Sequence, residues 1–280
     1  MAAADKIPAQ TDVAPYLTEQ RWEGYRPEQH AIWRTLFHRQ AALVQRRAVP
    51  AYLDGVAALS VSADSIPDFR IVNDMLGRRT GWSVTPVTGL VPDDVFFTLL
   101  ASRRFPATCF IRREDQLDYL QEPDVFHDLF GHVPLLVNPV FADYMQAYGE
   151  GGLKALRLGG LGRLARLYWY SVEFGLIATA DGLRIYGAGI LSSRSETIYA
   201  LEDERPHRVG FDLMRIMRTR FRIDDLQQCY FVIDSFAQLF AATRPDFAPL
   251  YAALDRQPDI EPTATEKGDR LFAPVAPLSH

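Results

Sequence analysis

Only two cysteines occur in the 280 residues, Cys109 and Cys229, far apart and without CxxC spacing. A disulfide scaffold and a cysteine-rich zinc site are thereby excluded. No stretch reaches the ~18 uninterrupted apolar residues of a membrane helix. The start, MAAADKIPAQTDVAPYL, lacks the basic segment and apolar run of a secretion signal, so a cytoplasmic location and no membrane partner are expected. Positive charge is not in excess: 30 basic residues face 35 acidic ones, for a net charge of −5. A general nucleic-acid binder would need a basic surface to release counterions, so no nucleic-acid partner is expected. HExxH, GxSxG, P-loop and EF-hand patterns are missing. Tyr186 to Ser192, YGAGILS, lacks the last glycine of a dinucleotide fingerprint, which argues against a Rossmann unit.

What is present suffices for a full core. The chain is 48% hydrophobic and 23% charged, an ordinary globular composition long enough for one large domain or two small ones. Trp33, Leu36, Phe37, Ala41 and Val44 recur at helical spacing and predict an amphipathic helix over Pro27 to Arg46. Similar patterns predict helices at about 66–78, 92–102, 138–150, 161–180, 192–202, 209–218 and 234–244. Short strands are expected at Ser83 to Val87, Thr108 to Ile111 and Leu183 to Tyr186, each flanked by Gly or Pro. The fold class is therefore mostly α with small β-sheets, as a single domain over 26–256. Residues 1–25 and 257–280 read as mobile ends. Basic residues cluster once, from Arg205 to Arg222, and read as a solvated helix face paired with acidic neighbours.

One constellation points to chemistry. His127 and His132 lie five apart in PDVFHDLFGHVP, which on a regular α-helix turns the second side chain about 140° from the first. A short helix capped by Asp124, ended by Gly131 and stopped by Pro134 would redirect His132 just past its end. Glu173 is the only charged residue from Leu167 to Ala180, and a carboxylate in such an apolar run must be paired, protonated or metal-bound. Alone, each histidine reads as a hydrogen-bonded core residue and Glu173 as an arginine partner. Together, two imidazoles and a carboxylate form either the facial triad of non-haem iron(II) or a catalytic zinc set.

The segments around these residues are more specific. EPDVFHDLFGHVPLL, ARLYWYSVEFGL, RIYGAGILSS and YFVIDSF, with GLVPDDVFF and FIRR upstream, resemble the catalytic domain of the pterin-dependent aromatic amino acid hydroxylases over roughly residues 65–245. The resemblance implies that His127, His132 and Glu173 bind Fe(II) as the catalytic centre. It implies that Arg112 holds the substrate carboxylate through a bidentate clamp. Trp169 and Phe174 would wall the amino acid pocket, with Gly189 and Ser192 lining the rest. Tetrahydrobiopterin or a related tetrahydropterin would stack on Phe96 and contact Gly89, Leu90 and Val91, with Asp128, Ala165 and Tyr168 across the site. Without the resemblance, the aromatics would be helix core, the glycines a tight turn and Arg112 a strand-end charge.

The implied reaction uses O₂ and the pterin to place one oxygen atom on the ring of a small-molecule aromatic amino acid. Trp169, where the tryptophan-hydroxylating branch has a smaller aromatic, and Ile223, where the tyrosine branch has an acidic residue, favour L-phenylalanine, giving L-tyrosine. Two departures stand out: Asp128 replaces a glutamate common in relatives, and Leu120 replaces a substrate-holding threonine of animal relatives. A monomer is expected, without the animal regulatory domain or tetramerising helix. Tryptophan or tyrosine hydroxylation on the same scaffold is one alternative. Another class is a zinc hydrolase on the same His₂Glu set, with Asp128 the candidate base; a noncatalytic helical binding module is a third reading.

Overall fold

A computed structural model of the chain describes residues 11–118, 120 and 122–277. Nineteen named elements set the frame, beginning with α1 (Pro27–Val44), α2 (Pro50–Ala58), α3 (Phe69–Thr80), β1 (Ser83–Val87), α4 (Asp93–Ala101) and β2 (Arg104–Thr108). After a loop and a π-helix at His127–His132 come α5 (Pro139–Leu158) and α6 (Leu161–Tyr168). A second π-helix, Trp169–Glu173, leads into β3 (Gly175–Thr179) and β4 (Gly182–Ile185). The remaining elements are α7 (Ala188–Leu191), α8 (Arg194–Glu202), β5 (His207–Gly210), α9 (Leu213–Arg218), β6 (Cys229–Ile233), α10 (Phe236–Thr243) and α11 (Ala248–Leu254). At 52% helix and 12% strand, the mostly α class expected from the sequence holds.

Two small sheets position the site. β1 and β2 pair in parallel across α4, a single βαβ unit. The second sheet runs β4-β3-β6-β5, with an antiparallel β3–β4 hairpin and parallel β3–β6 and β5–β6 pairs. β6 is central, and all five of its residues are buried, as an unbroken apolar run in a covered parallel strand requires.

Several sequence expectations are corrected here. The helix expected over 161–180 stops at Glu173, and Gly175–Thr179 is a strand. Gly175 sits where a Cβ would fall 2.2 Å from the Tyr186 ring and 2.3 Å from the Ser171 carbonyl, so the hairpin closes onto the helix only with glycine there. The stretch 209–218 begins as β5, and the strand placed at Thr108 to Ile111 lies four residues earlier. Helices α2 and α11 were not foreseen.

The ends also differ from expectation. Thr18 N–H bonds the Pro86 carbonyl at 3.0 Å, and Trp22 Nε1 donates to Ile66 at 2.7 Å, so residues 11–25 dock on β1 and α3. At the other end the acidic tail is fastened by the basic cluster together with Arg166 of α6. Arg166 and Arg220 grip Asp259, Arg218 grips Glu266, and the buried Arg215 grips Asp269. Backbone bonds from Ile260 to Arg218 and from Phe272 to Arg208 complete this strap. The cluster expected as a solvated face thus serves to hold residues 259–272. Residues 1–10 and 278–280 lie outside the described residues.

Candidate metal centre

His127 and His132 are brought together by a change of helical winding. The helix opened by Asp124 does not end at Gly131; it widens, and the Val133 N–H reaches back to the Asp128 carbonyl, five residues away. In this i→i+5 register, residues five apart share a face. Glu173 ends a second such segment, where the Phe174 N–H reaches the Trp169 carbonyl at 2.8 Å. The sequence-based helix-end solution is replaced by π-winding in both ligand segments.

The three side chains converge. His132 Nε2 lies 3.0 Å from His127 Nε2 and 3.1 Å from Glu173 Oε1, and His127 Nε2 lies 3.6 Å from Glu173 Oε2. Donors held about 2.1 Å from one ion at right angles sit about 3 Å apart, so the set fits a metal on one face. Among the described residues, these three form the group able to hold an ion. The Ser192 hydroxyl donates to the Ala188 carbonyl at 2.8 Å and lies 2.9 Å from His127 Nδ1. Its proton is committed, so Nδ1–H donates to it and Nε2 is left with a lone pair toward the cluster.

The three groups are coupled electrostatically. Burial pushes the His127 imidazole down to about 4, with His132 adding to the fall and Glu173 opposing it, which keeps the ring neutral. Burial would also lower His132, but the Glu173 carboxylate outweighs it and the value lies above the ordinary one. Glu173 is held below its usual range because His132, then His127, overcome the cost of burial.

Around this core the remaining expected residues divide. Trp169 and Phe174 meet with ring centroids 4.7 Å apart, and a Cβ on Gly189 would approach Phe174 to 2.8 Å, so these three share one wall. Phe96 packs edge-on to Tyr168 at 5.7 Å, and Tyr168 lies nearly parallel to His132 at 6.4 Å. Ala165 is half-buried on α6. Val91 joins a separate small apolar cluster with Val87, Val95 and Leu99, beside Gly89 and a 73% exposed Leu90. Ile223, expected among substrate contacts, is 70% exposed on a loop crest; Phe221 and Gln227 of that loop contact Trp169.

Two charged residues are engaged in unforeseen ways. Asp124, fully buried, accepts Arg112 Nε at 2.8 Å and Nη2 at 2.9 Å, as well as the Arg112 and His127 backbone N–H groups. The side-on edge of Arg112 is therefore taken by its buried counter-charge. Its Nη1 side makes a 3.5 Å contact with the Leu117 carbonyl. Asp128 Oδ2 accepts the Thr108 N–H at 2.8 Å and hydroxyl at 3.0 Å, and burial, against those bonds, raises its carboxyl to about 7. Sequence reasoning missed Asp124 as the link between ligand helix and arginine, Thr108 as the partner of Asp128, and Phe105, whose ring lies 5.0 Å from His132. Only Asp124 carried a signal, and it was read as a cap.

Comparison with known proteins agrees with this geometry. A family model described as biopterin-dependent aromatic amino acid hydroxylase matches residues 23–252. The phenylalanine-4-hydroxylase of Ralstonia nicotianae is 59% identical over 269 residues, 96% of this chain and 86% of that protein. The Chromobacterium violaceum enzyme of the same name is 59% identical over 266 residues, 92% of this chain and 90% of that one. The crystal structure of the Chromobacterium violaceum phenylalanine hydroxylase bound to cobalt aligns with a TM-score of 0.91 and 57% identity, over 93% of this chain and 94% of that one. The same enzyme with bound oxidized Fe(III) aligns at 0.89 and 58% identity, over 92% and 94%. A family match over most of the length, and a solved relative of the same architecture at more than half identity, lead to one conclusion: the chain belongs to the biopterin-dependent aromatic amino acid hydroxylases.

Proposed function

We propose that the protein is a monooxygenase dependent on iron(II) and a tetrahydropterin that converts L-phenylalanine to L-tyrosine with O₂. The observation that carries the reading is the convergence of His127, His132 and Glu173 within 3.0 to 3.6 Å, beside a wall of Trp169 and Phe174 and a buried Arg112. Phenylalanine-4-hydroxylase is the name of the bacterial relatives at 57–59% identity, and the reading takes their substrate for this chain.

Iron(II) and the pterin, when bound, would supply the electrons and O₂ activation for placing one oxygen atom on the ring. The chain's own residues do the rest. His127, His132 and Glu173 would hold the iron(II) through two imidazole nitrogens and a carboxylate. The Nη edge of Arg112 holds the amino acid carboxylate, and Asp124 keeps that guanidinium in place. Trp169 and Phe174 orient the aromatic ring, while Phe96 and Tyr168 offer flat faces to the pterin. His132 is buried and His127 and Glu173 are partly so, which limits the water that reaches the site. Asp128 Oδ2 is held by the Thr108 N–H and hydroxyl, and it is the family match that disfavours the hydrolytic alternative.

A cytoplasmic monomer completes the proposal. Among the described residues no helix is long and apolar enough to cross a membrane, and sedimentation of the purified chain tests the monomer. The reaction is tested by incubating Fe(II)-loaded protein and tetrahydropterin with phenylalanine, tyrosine and tryptophan separately. Conversion of phenylalanine to tyrosine is expected, and no oxygenated product from any of the three would overturn the assignment.

A further inference from the structure

Between Phe221 and Gln227 the chain rises into solvent: Arg222, Ile223, Asp224 and Asp225 are all exposed. Both feet of this excursion stand on one side chain. Phe221 stacks on the Trp169 indole, with centroids 4.5 Å and planes 19° apart. Gln227, only 4% exposed, accepts the indole N–H on Oε1 at 2.8 Å. The amide can be oriented only one way. An indole N–H can only donate, and Nε2 faces the Arg222 carbonyl at 2.9 Å and the Asp225 carbonyl at 3.3 Å, which can only accept.

Gln227 is itself held from behind. Its backbone N–H donates to the buried Glu196 carboxylate at 3.0 Å, which also receives the Tyr230 hydroxyl. Tyr230 lies in β6, the buried central strand. A chain of bonds thus runs from the core of the sheet through Glu196 and Gln227 to the indole, while Nε2 ties down the carbonyls of the exposed crest. Trp169 begins the π-helix that ends in Glu173, so the indole plane and the metal cluster share one short element.

We propose that Gln227 is a positioning residue for the ring pocket: it fixes the plane of the Trp169 indole and closes the loop 221–227 over it. Selectivity among aromatic amino acids then depends on this tie. The proposal rests on reading Trp169 as the wall of an aromatic amino acid pocket.

The test compares wild type, Gln227→Leu and Gln227→Glu in the full chain, iron-free for spectra and Fe(II)-loaded for kinetics. Gln227→Leu removes both the acceptor and the crest donors, whereas Gln227→Glu keeps the acceptor. The Trp169 indole N–H signal, assigned by its loss in Trp169→Phe, should move upfield and exchange faster in Gln227→Leu but stay near wild type in Gln227→Glu. The KM for phenylalanine should rise about tenfold with kcat within about twofold, and the preference for phenylalanine over tryptophan should fall by a similar factor. In the Trp169→Phe background, Gln227→Leu should add nothing to KM. An unmoved indole signal, or a loss confined to kcat with preference unchanged, overturns the proposal. If Gln227→Leu does not fold, Gln227→Met carries the same comparison. If wild type hydroxylates neither amino acid, the functional reading fails by itself, and the indole signal still decides whether Gln227 holds Trp169.

Discussion

Ser192 and Asp124 show how single side chains prepare a ligand set they do not join. Ser192 fixes the His127 tautomer by accepting Nδ1–H while its own proton is used at Ala188. Ser192→Ala is expected to weaken metal affinity about 10–100-fold with little change in melting temperature, measured by Fe(II) titration and thermal melts. Asp124 neutralises Arg112 in the interior, and removing one partner of a buried pair costs about 3–5 kcal/mol. Asp124→Asn should therefore lower the melting temperature markedly. Its pH dependence has a definite sign. Burial would raise the Asp124 carboxyl, but Arg112 outweighs it and holds the folded value below the ordinary one. The stabilisation is complete above the unfolded carboxyl pKa of about 4 and is lost as pH falls through the lower folded value. The stability gap between wild type and Asp124→Asn, followed by denaturant titration, should be full at neutral pH and shrink below about pH 4.

The two π-helices are the elements that make the site, and α7 is wedged between them. A Cβ on Gly131 would fall 2.9 Å from the Ala188 carbonyl, and one on Gly187 would fall 2.4 Å from the Glu173 carbonyl. Backbone on both sides leaves little room to yield, and overpacking of this kind costs about 1–3 kcal/mol. Gly131→Ala should push the His127–His132 segment off α7, lowering both Fe(II) affinity and melting temperature, whereas Gly151→Ala, with open space around it, should change neither. The ligand identities were legible because His127, His132 and the lone carboxylate Glu173 stand out chemically from their surroundings. The winding that unites them was not, since apolar periodicity records which face is buried and not the hydrogen-bond register. For the same reason the run from Leu167 to Ala180 read as one helix, although Gly175 marks its turn into a strand. β6 was missed because five consecutive apolar residues suit a buried strand and a buried helix alike.

Across the whole molecule, the acidic tail and the basic cluster hold each other. Asp259 receives Arg166 on both oxygens at 2.9 Å, with Arg163 and Arg220 beside it, and its carboxyl is drawn far below its usual range by these guanidiniums. The Arg220 carbonyl accepts the Tyr170 hydroxyl at 2.5 Å, and Phe221 follows directly, so the strap lies behind the Trp169 wall. Asp259→Ala should cost about 1–3 kcal/mol, read as a lower melting temperature, and added salt should narrow the difference because part of the network faces water. The sequence showed acidic residues at one place and arginines at another. It could not show their pairing, because partners 39 to 96 positions apart meet only once the chain has folded. The metal site, by contrast, is carried by two short segments whose chemistry reads locally. That chemistry is tested most directly by supplying ¹⁸O₂ to the Fe(II)-loaded protein with tetrahydropterin and L-phenylalanine and taking the mass spectrum of the product. Tyrosine carrying one ¹⁸O atom is expected, with no label when iron is chelated; unlabelled tyrosine, or no tyrosine at all, would contradict the assignment.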